Sequence, residues 1–207
     1  ILAATGIIKQ PRPYTAFFGE LSLNGELRPV NGALPMAVAA AREGIKELFV
    51  PADNAQEAAF ADGVAVYPVA NVSELVAHLR GEFLLKPMAA PELSGDDIRY
   101  PDFSDVKGQE NVKRAMEIAA AGGHNILMVG PPGAGKSMMS KRLPGILPDM
   151  TKEEMLRSTE IYSVAGLTGK NKPIIAARPF RSPHHTVSPT ALSGGGTVPR
   201  PGEISLA

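Results

Sequence analysis

The sequence predicts an α/β protein built in two successive units, and three observations carry that expectation. Short apolar runs alternate with Ala-rich or amphipathic stretches over residues 1–85. Residues 86–100 then mix Pro, Ala, Ser, Gly and acids without any hydrophobic period, which is the chemistry of a linker. Beyond it, over residues 101–207, an apolar run leads directly into a glycine-rich loop and a new helix, the order found in parallel sheets that bind nucleotides.

In the first unit, Ile1-Leu2-Ala3-Ala4 reads as the tail of a helix. Runs over 18–23 and 26–30 flank Asn24-Gly25, a hairpin signal because both residues tolerate positive φ. Residues 33–43 are Ala-rich and read as a helix stopped by Gly44. Leu48-Phe49-Val50 is a short buried strand ended by Pro51, and Asp53 is placed to cap a helix running to Ala61. Residues 64–69 read as another strand, and Ser73 is placed to cap a helix ending at Arg80.

In the second unit, Val112, Ala115, Met116 and Ala119 fall at i, i+3, i+4 and i+7, one face of a helix that Gly122-Gly123 ends. Asn125-Ile-Leu-Met-Val129 is apolar throughout and suits a central parallel strand. Next comes Gly130-Pro131-Pro132-Gly133-Ala134-Gly135-Lys136-Ser137, which satisfies the phosphate-loop pattern G-x-x-x-x-G-K-[ST]. Its glycines free backbone N–H groups to surround a β-phosphate, and Lys136 reaches the β and γ oxygens. Ser137 is the ligand for Mg²⁺. Lys136 to Leu143 reads as the helix that follows, stopped by Pro144, and Met138 and Met139 on it read as core. A nucleoside triphosphate is the ligand this loop predicts.

Bulk properties narrow the class. The 207 residues are 44% hydrophobic and 20% charged, with a net charge of zero. No apolar run approaches a membrane span and no signal peptide opens the chain. The absence of cysteine excludes disulfides and thiolate metal sites and suits a cytoplasmic protein. Residues 161–202 hold no acid but carry Lys170, Lys172, Arg178, Arg181 and Arg200, leaving 16 basic against 21 acidic residues elsewhere. Such a cationic stretch either contacts phosphates or forms a solvated loop. With no initiating methionine and no punctuation after Ala207, the chain is expected to be a piece of a longer protein.

The stretch 103–110, Phe-Ser-Asp-Val-Lys-Gly-Gln-Glu, followed by helix, apolar strand and phosphate loop, resembles the opening of an AAA+ ATPase core. That resemblance implies that Val106, Lys107, Gly108 and Gln109 lie beside the adenine. Ile161-Tyr-Ser-Val-Ala-Gly-Leu167, Arg178-Pro-Phe-Arg-Ser-Pro-His-His-Thr186 and residues 193–207 are similar to the YifB/ComM family of magnesium-chelatase-like AAA+ ATPases. The family implies ATP and Mg²⁺ as cofactors and a cytoplasmic homohexameric ring around DNA. It also implies helicase and branch-migration work on single-stranded or branched DNA in competence and recombination. It further implies an acidic Mg²⁺ and water motif shortly after Ala207, so that the piece given would bind ATP weakly without turning it over.

Residues 19–32 and 43–51 resemble the proteolytic domain of Lon, giving a small Lon-protease-like α/β domain ahead of a partial P-loop AAA+ domain. On the shared landmarks the dyad lysine falls at Met36, whose thioether accepts no proton, so no protease is expected. Lys9 and Lys46 read as surface charges. Arg178, Arg181, His184, His185 and Arg200 are candidates for DNA or subunit contact, with a packed loop the plainer role for the histidine pair. Gly194-Gly-Gly196 reads as a connecting loop, or as a mobile pore loop of a ring. Two rival functions stay open: a metal-insertion chaperone resembling the magnesium-chelatase motor, and a nucleotide-switched interaction protein.

Overall fold

Residues 1–8 form turns in this computed structural model, which describes residues 1–90, 100–169 and 172–207. Where a helix tail was expected, Thr5 N–H donates to Ile1 O at 2.9 Å in helical fashion, but Gly6 N–H to Ala3 O and Ile7 N–H to Leu2 O are turn bonds. Most of the expected linker, residues 91–99, lies outside the described residues, as does Lys170.

A parallel sheet organises the N-terminal part. Its strands are β1 (Thr15–Phe17), followed in the chain by the hairpin β2 (Glu20–Leu21) and β3 (Leu27–Arg28). Helix α1 (Ala33–Arg42), strand β4 (Glu47–Pro51), helix α2 (Ala55–Ala58), strand β5 (Ala65–Val69) and helix α3 (Val72–Arg80) complete it. The order β1-β4-β5 is parallel throughout, and register sets Phe17 opposite Phe49 and Phe49 opposite Tyr67. Their rings stack 5.1 and 4.9 Å apart, matching the spacing of neighbouring strands. The opposite face holds Leu48, Val50 and Val66 against Leu34, Ala37, Ala55 and Ala58, small residues that let α1 and α2 lie close.

The hairpin turns at Gly25, whose φ of 85° explains the glycine. Two expected caps fall elsewhere. Asn71, not Ser73, caps α3, its Oδ1 accepting from Glu74 N–H at 2.9 Å. Asp53 sits inside a 3₁₀ turn (Ala52–Asn54), so α2 starts later and ends earlier than expected. Asn54 is buried and mimics a strand partner, exchanging bonds of 2.9 and 3.0 Å with the N–H and C=O of Val30.

The C-terminal part carries a 3₁₀ turn (Phe103–Asp105), helix α4 (Glu110–Gly122), helix α5 (Lys136–Ser140) and a second 3₁₀ turn (Leu143–Ile146). Helix α6 (Lys152–Val164), helix α7 (Pro189–Ser193) and the antiparallel pair β6 (Gly194–Gly195) and β7 (Arg200–Pro201) follow. The expected face of α4 holds in part: Met116 and Ala119 are buried, and Met116 joins Val106 and Met139 in a core that Val112 flanks, whereas Ala115 is exposed. The expected central strand over 125–129 has no ladder partner among the described residues. Ile126 and Met128 still pack on the core, whereas Leu127 and Val129 are 87% and 88% exposed. The run keeps the alternation of a strand without the neighbours that define one.

The two parts meet along α1 and α6. Gly32 N–H donates to Ser163 O at 3.0 Å, and Leu156 and Ile174 pack against the N-terminal core. Lys152 reaches Asp62 at 2.9 Å. Helix α6 itself starts on a capping box, Thr151 and Glu154 bonding each other's backbone N–H reciprocally.

Candidate functional site

The phosphate loop connects the apolar run to α5. Gly133 and Gly135 take φ of 80° and 83°, left-handed conformations that a side chain would strain. Among the described residues the N–H groups of Gly133, Gly135, Lys136 and Ser137 donate to no protein acceptor. The Lys136 ammonium bends back onto the loop, donating to Gly130 O at 2.7 Å and Pro131 O at 2.8 Å. Pro131, Pro132, Gly133 and Ala134 are exposed, as is Ser137. The loop thus presents backbone N–H groups without a protein acceptor, a lysine ammonium resting on the loop's own carbonyls and an exposed serine hydroxyl.

Val106 is buried in the same core as Met139 of α5. Lys107 is exposed, and Gly108 and Gln109 then adopt consecutive left-handed conformations, φ 69° and 62°. This double turn redirects the chain into α4, with Gln109 a non-glycine residue in a region that L-residues seldom occupy. The side chain of Arg142 joins this side to α5, a connection that no local motif signals. It donates to Asp102 O at 2.7 Å, Met138 O at 3.0 Å and Asp105 Oδ2 at 3.3 Å.

The basic candidates separate into held and free groups. Arg178 donates to Pro148 O at 2.6 Å and to Glu154 at 3.4 Å, while its backbone N–H bonds Tyr100 Oη. Arg181 forms a bidentate pair with Glu203, both bonds 2.6 Å. That pairing holds the Glu203 carboxyl below its ordinary range, and the hydrogen bonds to Glu203 raise Arg181 in turn. Tyr162 beside them is raised chiefly by burial and donates to Leu206 O at 2.8 Å. His184 and His185 are exposed with ring centroids 4.1 Å apart, and His184 Nδ1 lies 2.8 Å from Thr186 Oγ1. Arg200 is exposed on β7. Among the described residues no three His, Cys, Asp or Glu side chains gather as a metal site.

Gly194 and Gly202 need their identity for packing. A Cβ on Gly202 would lie 2.2 Å from Gly194 N, and one on Gly194 would lie 2.7 Å from Arg200 O. Gly194 and Gly202 therefore let β6 close onto β7. Met36 lies in the first turn of α1, and Lys9 and Lys46 are exposed.

Residues 102–207 match the family model described as magnesium chelatase, subunit ChlI, and residues 1–54 match one described as subunit ChlI of Mg-chelatase. The chain belongs to the magnesium chelatase subunit ChlI family. Within reach of this ChlI-type chain, the uncharacterized protein YifB of Escherichia coli is 43% identical over 189 residues, covering 91% of this chain and 37% of YifB. Competence protein ComM of Haemophilus influenzae is 41% identical over 196 residues, covering 92% of this chain and 38% of ComM. An archaeal Lon protease from Methanothermobacter thermautotrophicus is 33% identical over 85 residues, 40% of this chain and 12% of that protease. The YifB/ComM resemblance is thus shown, and the Lon-like similarity is partial. The chain spans about two fifths of the length of YifB and ComM. Among the described residues no helix is long and apolar enough to cross a membrane.

Proposed function

We propose that residues 130–137 bind Mg-ATP and that the longer protein containing them is an ATPase motor acting on DNA. The carrying observation is that the N–H groups of Gly133, Gly135, Lys136 and Ser137 meet no protein acceptor among the described residues, with Lys136 folded onto Gly130 O and Pro131 O. Bound triphosphate supplies acceptors for those donors and a phosphoanhydride bond whose cleavage releases energy. Lys136 would leave the loop carbonyls for the phosphate oxygens, and Ser137 would hold Mg²⁺ through its hydroxyl. Val106 to Gln109 contribute the base side, starting from Val106 in the core that also holds Met139 of α5.

The parts that complete hydrolysis belong, in this reading, to the longer protein, so the 207 residues bind ATP weakly and turn it over negligibly. Titration calorimetry with Mg-ATP tests the first half: binding lost in Lys136→Ala is the expected result. Multiple-turnover hydrolysis by the 207 residues, abolished by the same substitution, would overturn the second half.

The DNA reading draws on the similarity to the competence protein ComM and on the cationic stretch over 161–202. With Arg178 and Arg181 engaged internally, His184, His185 and Arg200 are the groups that would face DNA or a neighbouring subunit of a homohexamer. The N-terminal part acts as a Lon-like domain without proteolysis, since Met36 stands in a helix where the dyad lysine would be. The description of the matched family favours a second reading, metal insertion without DNA translocation. Hydrolysis by the full-length protein stimulated by branched or single-stranded DNA separates the two, and binding should weaken steeply with salt.

A further inference from the structure

The geometry points to Arg142 as the positioning residue that sets the base side of the nucleotide site against its phosphate side. This rests on the nucleotide reading of residues 130–137. Arg142 lies two residues beyond α5, the helix that begins at Lys136 and Ser137. Its Nη1 donates back to Met138 O at 3.0 Å, satisfying a carbonyl near the end of α5 that has no helical partner. Its Nε and Nη2 reach across 40 and 37 residues of sequence to Asp102 O at 2.7 Å and Asp105 Oδ2 at 3.3 Å. One planar guanidinium therefore bonds both sides, and its side chain is only 14% exposed.

The turn it grips is itself well ordered by local bonds. Asp102 Oδ1 accepts from Ser104 N–H at 2.7 Å, and Phe103 packs on the core of Val106, Met116 and Met139. Val106, Lys107, Gly108 and Gln109 follow at once, so the 102–105 turn is the base from which the adenine-side segment starts. Packing by Phe103 and Val106 is apolar and non-directional. The three Arg142 bonds are directional, and they fix the separation between that turn and α5. A nucleoside triphosphate must touch both sides at once, whereas inorganic tripolyphosphate needs only the loop. Arg142 should accordingly matter to the first ligand and not the second.

The test titrates the chain with Mg-ATP and with Mg-tripolyphosphate, in wild type, Arg142→Gln and Asp105→Asn. Arg142→Gln is expected to weaken Mg-ATP about tenfold, the scale of one or two lost directional bonds, while tripolyphosphate changes less than about twofold. Asp105→Asn should shift the ratio in the same direction by a smaller factor, and Arg142→Lys should restore it only in part, because an ammonium cannot span three acceptors in a plane. Equal loss of both ligands, or loss of neither, overturns the proposal. If Arg142→Gln fails to fold by circular dichroism, Asp105→Asn decides, and an unchanged ratio there overturns it. Wild type binding neither ligand, or Lys136→Ala binding both normally, removes the nucleotide reading itself and is recognisably a different failure.

Discussion

The Glu57 carboxylate accepts a hydrogen bond from Thr168 Oγ1 at 2.8 Å across 111 residues of chain. Its other oxygen accepts from Leu34 N–H at 3.0 Å, at the start of α1, and from Ser163 Oγ at the end of α6. The residue is 4% exposed, so one acid satisfies donors from both parts of the chain inside their shared seam. Glu57→Ala leaves those donors without an acceptor in a buried place and is expected to destabilise the chain by about 2–4 kcal/mol. Glu57→Gln keeps one acceptor oxygen and should lose roughly half as much. Urea unfolding of both variants checks the order, and a neutral Glu57→Ala would show that the seam does not contribute.

Helix α6 rests on a second, exposed device. Thr151 Oγ1 accepts from Glu154 N–H at 3.2 Å, and the Glu154 carboxylate accepts from Thr151 N–H at 2.8 Å. Thr151→Ala removes one arm of that box and should cost about 1 kcal/mol, read as a lower urea midpoint with unchanged slope. Thr151→Ser keeps the acceptor and should stay near wild type.

What was legible in the sequence follows from how local each cause is. The glycine-rich turn before α5, the Asn24-Gly25 turn and the burial of Met116 and Ala119 on α4 depend on residues a few positions apart, and the pattern places all three, though Ala115 on the same expected face is exposed. Strand β1 is three residues between Pro13 and Gly19, too short to show alternation, and exists because β4 offers it a ladder. Asn71 and Ser73 both lie where α3 begins, and only the Glu74 N–H selects between them. Helix α6 has a readable capping box, but its polar and apolar residues do not segregate into a clear stripe, so periodicity misses it. The roles of Glu57 and Arg178, and the reach of Arg142 to Asp102 and Asp105, come from partners between 23 and 111 residues away, and no window on the sequence contains them.

Acid should weaken the C-terminal segment in a defined direction. Hydrogen bonds from Arg181 hold Glu203 below the ordinary carboxylate range. The backbone bond from Thr151 does the same for Glu154, and that from Ser104 for Asp102. A carboxylate lowered in the folded state stabilises fully above its unfolded pKa, and that stability disappears as pH falls through the folded value. Thermal midpoints of wild type and Glu203→Gln should therefore differ at neutral pH and converge once pH drops below the lowered Glu203 value. A difference that persists undiminished at the lowest pH would mean that the Arg181 pairing is not its source.

Leu127 and Met116 give the contrast that tests the core around the phosphate loop. Both are apolar and both flank the site, yet Leu127 is 87% exposed and Met116 fully buried among Val106 and Met139. Met116→Ala empties the space between α4 and α5 and should destabilise by about 2–5 kcal/mol. Leu127→Ser meets no such packing and should shift stability by less than about 0.5 kcal/mol while reducing self-association through an exposed apolar residue. Urea unfolding and light scattering on the two variants read these effects separately. A loss at Leu127→Ser comparable to that at Met116→Ala would mean that the outer face of the 125–129 run is covered in solution.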